Sequence, residues 1–111
     1  MTQPSQAQLE SERVDRLTLI RIRGEIDLSN IDEVRAAVLT IVTGAEMAAI
    51  DLSAVDYLDS QGIHLLIDLS RGLAQAGIEL SIIAPSTSIA GELMAVTRLG
   101  ELLRVREALP G

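Results

Sequence analysis

The sequence predicts an α/β fold: one small domain with a mixed, mostly parallel central sheet of four to five strands and helices packed on it. The predicted element order is β-β-α-β-α-β-α-β. Three observations point there. Short runs rich in Val, Ile and Leu alternate with stretches whose apolar residues recur every three or four positions. Breakers follow several of these segments, at Gly44, Gly77 and Pro85. A chain of 111 residues with 48% hydrophobic content suits one domain, which buries roughly two-thirds of the surface its unfolded form exposes. Alternation of this kind implies right-handed crossovers between neighbouring parallel strands.

The elements follow in order. Residues 1–8 are polar and are expected to form a disordered amino-terminal tail, with the folded domain spanning 9–109. Leu9 to Val14 is an edge-strand candidate that turns at Asp15-Arg16. In the next strand, Leu17 to Arg23, Thr18, Ile20 and Ile22 alternate with Leu17, Leu19 and Arg21. Ser29 is the expected start of the first helix, with Asp32 completing an approximate capping box. Ile31, Val34, Val38, Ile41 and Val42 form its apolar stripe, and Gly44 ends it. Met47 to Leu52 reads as a short buried strand. The second helix runs from Ser60 to Ala76, with His64, Asp68, Arg71 and Gln75 on its polar face. Leu65 and Leu69 widen its apolar arc to about half the circumference, more than one sheet contact requires. Leu80 to Ala84 is a strand stopped by Pro85. A third helix from Ser88 to Leu99 and a strand over Leu102 to Arg106 complete the chain.

Composition narrows the chemistry. There is no cysteine, one histidine and no lysine, since all nine basic residues are arginines. Thiol catalysis, His-rich metal sites, P-loop phosphate binding and Schiff-base chemistry are therefore excluded, and no cofactor is expected. One tyrosine and no Phe or Trp leave no stacking platform for single-stranded nucleic acid. A net charge of −7 argues against direct nucleic-acid or anionic-membrane binding and suits a basic patch on another protein. No apolar run approaches a membrane span, and Met1 to Gln8 lacks a secretory pattern, so the expected location is cytoplasmic.

In folds of this kind function collects at strand carboxyl ends, beside helix amino termini. Two loops there are rich in small and acidic residues: Gly24-Glu25-Ile26-Asp27 and Asp56-Tyr57-Leu58-Asp59-Ser60-Gln61-Gly62. If their strands are neighbours, Asp27 and Asp59-Ser60 share one end of the sheet. Ser60 or Asp59 could simply cap the second helix, for about 1 kcal/mol. Gly62 in the first helical turn is unfavourable by up to about 1 kcal/mol and makes sense if a partner's backbone must approach closely there.

Val55 to Ile63 resembles the Asp-Ser-Ser-Gly-Leu signature of STAS domains, specifically the small anti-sigma factor antagonists. Gly24-Glu25-Ile26-Asp27 is similar to the family's Gly-Glu-Leu-Asp loop, and Ile50-Asp51-Leu52-Ser53 to its Val-Leu-Asp-Leu-Ser strand. Leu93 to Leu99, then Leu102-Leu103, resembles its third helix and closing strand. The resemblance implies that the unphosphorylated protein binds an anti-sigma factor that is also a serine kinase, releasing a sigma factor for transcription, as in stress responses. The kinase, which holds the ATP, then phosphorylates the serine after the signature aspartate, here Ser60, and the complex dissociates. A serine phosphatase resets the switch. Asp27, Asp59, Gln61, Gly62 and His64 are the implied partner-binding residues, with no catalytic or metal-ligating residue.

Three departures stand out: Gln61 replaces the usual second serine, His64 a small residue, and Arg98 a common glycine. A left-handed conformation at Arg98 would cost about 1 kcal/mol. Ser60, His64 and Asp68 are spaced four apart and invite a hydrolase reading, but no Gly-x-Ser-x-Gly elbow accompanies them. Asp51 after a buried strand invites a phospho-receiver reading, which wants a lysine that the chain lacks. A third alternative keeps the fold and makes it an interaction module of a stress-signalling assembly or a lipid-transport complex, through the apolar edge of Leu65 and Leu69.

Overall fold

In the computed structural model, which describes residues 7–109, β1 (Ala7–Val14) runs antiparallel to β2 (Leu17–Ile26). The turn between them places Asp15 at φ 56°, a left-handed position that aspartate tolerates better than most residues. Then follow α1 (Ile31–Ile41), β3 (Met47–Leu58), α2 (Ser60–Gln75), β4 (Glu79–Ile83), α3 (Ile89–Thr97), a 3-10 turn over Leu99–Leu102, and β5 (Val105–Arg106). The sheet runs β1-β2-β3-β4-β5, antiparallel at β1/β2 and parallel elsewhere. Fold class and element order match the expectation from sequence.

Strand alternation sorts the core onto two faces. Ile20, Ile22, Ile50, Leu52 and Ile82 join Val34 and Val38 of α1, Ile63, Leu66 and Leu73 of α2, and Ala90 and Met94 of α3 in one buried cluster. The opposite sheet face carries a small cluster of Leu19, Ala49 and Ile83, beside the ion pairs Glu10–Arg23, Glu12–Arg21 and Glu79–Arg104. The helices thus form one layer and the sheet the other.

Several details differ from the sequence reading, each for a physical reason. β3 continues six residues beyond Leu52, across two register shifts against β2, between Arg21/Arg23 and Gly24/Glu25. Such bulges break the period-two pattern that marks a strand. The N-cap position of α1 is Asn30 rather than Ser29, and its side chain makes no cap hydrogen bond to the helix but holds the preceding loop. Asp32 bonds to Arg35 instead of closing a capping box. Leu65 and Leu69 lie within the main core, so the apolar edge is internal. Of the expected tail, residues 1–6 lie outside the described residues, while Ala7 and Gln8 pair with Gly24 and Arg23 in β1. Arg98 occupies the left-handed region at φ 63° and closes α3.

Candidate functional site

β2 and β3 leave the sheet side by side. Ile26 and Leu58 are parallel register partners, so Asp27 and Asp59 emerge next to each other on adjacent strands. Adjacent strands lie about 4.8 Å apart. The expectation that the two loops share one end of the sheet is met through this pairing.

Asn30 shapes the first loop. It is 5% exposed; its Oδ1 accepts from Asp27 N at 3.1 Å and its Nδ2 donates to Glu25 O at 2.8 Å. The carboxylate of Asp27 accepts from the backbone N–H of Ser29 at 2.9 Å and from the Ser29 hydroxyl. With Asp27 and Asn30 so held, Leu28 projects outward at 69% exposure. Sequence reasoning passed over both residues. Asn30 could have been noticed as a second capping-type residue beside Ser29, whereas nothing local marks Leu28.

In the second loop the helix cap belongs to Asp59, whose extended backbone (φ −106°, ψ −177°) lets Oδ1 accept from Gly62 N at 3.0 Å. Ser60 is therefore the first residue of the helix proper. It is exposed, and among the described residues its hydroxyl has no hydrogen-bond partner. Gln61 and His64 are also exposed. Gly62 is buried: a Cβ there would stand 2.4 Å from Leu58 Cδ1 and 3.2 Å from Ile26 O. The close approach that glycine permits thus comes from β2 and β3 of this chain, not from a partner. It seats the first turn of α2 over the ends of both strands.

Ser60, His64 and Asp68 are not joined into a relay. Among the described residues no hydrogen bond links Ser60 to His64 or His64 to Asp68, and the carboxylate of Asp68 faces Arg35 at 4.0 Å. Asp51 accepts from the backbone N–H and hydroxyl of Ser53 at the β3 bulge. Among the described residues no group of three or more His, Asp or Glu converges on a metal position. None of their helices is long and apolar enough to cross a membrane. A groove of about 610 Å³ lies at the opposite ends of the strands, lined by Val14, Leu17, Met47 and Glu79 among others, and contains no predicted site residue.

The site is acidic. Glu25, Asp27, Asp56 and Asp59 lie on the two arms, and residues 24–34 and 52–70 contain no arginine. The arrangement offers one exposed hydroxyl at a helix amino terminus, framed by carboxylates and loops of fixed shape. That suits a protein-facing modification site better than an enclosed substrate pocket.

Residues 8–109 match the family described as the STAS domain. The chain is 31% identical over 101 residues to an anti-sigma-B factor antagonist of Staphylococcus aureus, covering 89% of this chain and 92% of that protein. It is also 31% identical over 67 residues to Osmosensory protein A of Mycobacterium tuberculosis, covering 60% of this chain and 42% of that longer relative. In structure it is similar to an anti-sigma factor antagonist from Mycobacterium paratuberculosis, with a TM-score of 0.75 at 20% identity, covering 98% of this chain and 92% of the other.

Proposed function

The chain belongs to the STAS domain family, and from that premise we propose that it is an anti-sigma factor antagonist switched off by phosphorylation at Ser60. In its unphosphorylated form residues 9–109 bind an anti-sigma factor that is also a serine kinase, in the cytoplasm, and release a sigma factor. The kinase supplies the ATP, and a serine phosphatase restores the binding form. Asp27, Gln61 and His64 contribute side chains to the contact, while Asp59 and Gly62 hold the helix start in place.

One observation carries this reading: Asp59 performs the capping, so Ser60 presents an exposed hydroxyl without a structural duty. A phosphate attached there adds about −1.5 to −2 charges at a helix amino terminus, where the fold tolerates it. It stands beside Asp59, on a surface already acidic, and so changes what a partner meets without requiring the domain to unfold. Incubation with the cognate kinase and ATP should add one phosphate to the wild type by intact-mass analysis and none to Ser60→Ala. Modification of Ser53 or Ser86 in place of Ser60 would overturn the assignment. A second reading makes the domain an interaction module of a stress-signalling assembly; the partial similarity to a protein named Osmosensory protein A supports it.

A further inference from the structure

The paired ends of β2 and β3, which deliver the loops of Asp27 and Ser60, also carry two exposed apolar side chains that the acidic and polar residues of the switch do not explain. Tyr57 is the only aromatic residue in the 111, and it is 48% exposed rather than part of the core. The register shift between Gly24 and Glu25 makes Asp56 and Tyr57 consecutive exposed residues just before the buried Leu58. A bulge at this place re-aims a side chain that regular alternation would bury. Leu28, on the neighbouring arm, is held out by a loop whose backbone is tied at Asp27 and Asn30. The backbone that carries both side chains is already ordered, in a hydrogen-bonded loop and at the end of a paired strand, so docking need fix only their rotamers. Aromatic and large apolar side chains on pre-ordered backbone are the usual anchors of an interface.

We propose that Leu28 and Tyr57 are the apolar anchors by which the anti-sigma kinase docks on this face, in an apolar cleft rimmed by basic side chains. The inference rests on the function proposed above. Charge complementarity supports that occupant: Glu25, Asp27 and Asp56 flank the anchors along the two strands, residues 24–34 and 52–70 hold no arginine, and Arg23, which lines a concavity with Asp56, is paired with Glu10, so a basic rim is the matching surface.

The test titrates each purified anti-sigma factor serine kinase of the source organism, with ADP bound, against wild type, Leu28→Ser, Tyr57→Ser and Val96→Ser. Val96, 81% exposed on α3, serves as the apolar control away from the face. Leu28→Ser and Tyr57→Ser should each weaken binding at least tenfold with melting temperature unchanged, and Val96→Ser should bind like wild type. Raising salt from 50 to 300 mM should weaken wild-type binding severalfold. If a kinase phosphorylates Ser60 and both variants bind it like wild type, or salt has no effect, the anchor proposal is overturned and the switch stands. If no kinase binds or phosphorylates the wild type, the functional reading falls and the anchors fall with it.

Discussion

Asp59 and Ser60 are neighbours with capping-type side chains, and the geometry divides their work. Asp59 satisfies the Gly62 N–H at 3.0 Å, while the Ser60 hydroxyl contributes no hydrogen bond to the described fold. Losing a capping side chain costs about 1 kcal/mol, within a range of about 0.5–2. Asp59→Ala should therefore lower unfolding free energy by about 1 kcal/mol in a urea titration, and Ser60→Ala should change it by less than about 0.5 kcal/mol, as for an exposed substitution. Equal losses at the two positions would return Ser60 to the cap. This split was only half legible in the sequence. Both residues suit a helix start, and the choice rests on Asp59 being the last extended residue after β3, which depends on how far that strand runs. Gly62 was legible as a sign of close approach, but the expected partner's backbone is replaced by β2 and β3 of the same chain, which only tertiary packing brings there.

Elements whose pattern is local read well from sequence, and those shaped by neighbouring strands did not. The apolar stripes of α1 and α2 and the stops at Gly44, Gly77 and Pro85 follow from residue spacing alone. β3 beyond Leu52 was hidden because its bulges against β2 break the alternation by which a strand is recognised. The 3-10 turn over Leu99–Leu102 stands where residue spacing predicts the end of one helix and the start of a strand, which itself covers only Val105–Arg106. Its entry is Arg98, whose N–H donates to Met94 O at 3.1 Å while its backbone sits at φ 63°. Glycine enters that region freely, whereas an L side chain pays about 1 kcal/mol. Arg98→Gly also removes the ion pair to Glu101, which is exposed on both sides and worth little. The variant should gain up to about 1 kcal/mol in thermal or urea unfolding. A loss of stability would mean that the Arg98 side chain supports the turn by more than its ion pair.

At the scale of the whole molecule, the architecture separates what is stable from what is switched. The core lies between one sheet face and three helices, and the opposite face is tied by Glu10–Arg23, Glu12–Arg21 and Glu79–Arg104. The guanidinium of Arg23 holds the Glu10 carboxyl below its ordinary value, so this contact strengthens the β1/β2 edge above the usual carboxylate range and is lost as pH falls. The Ser60 side chain takes part in neither the core nor these ion pairs. It stands at one end of the sheet, where β2 and β3 deliver Asp27 and Asp59 side by side. A phosphate there breaks no hydrogen bond of the described fold, and the amino terminus of α2 partly offsets its charge through the helix dipole. Phosphorylated and unphosphorylated protein should then unfold within about 1 kcal/mol of each other, the usual size of a helix-dipole contribution. Amide exchange in β2, β3 and β4 should be the same in both forms, with differences confined to residues 27–30 and the first turn of α2. Affinity for the kinase should meanwhile fall by an order of magnitude or more. A tenfold or greater loss of protection in the central strands on phosphorylation would show that the switch loosens the fold, and an altered surface on a rigid domain would no longer account for it.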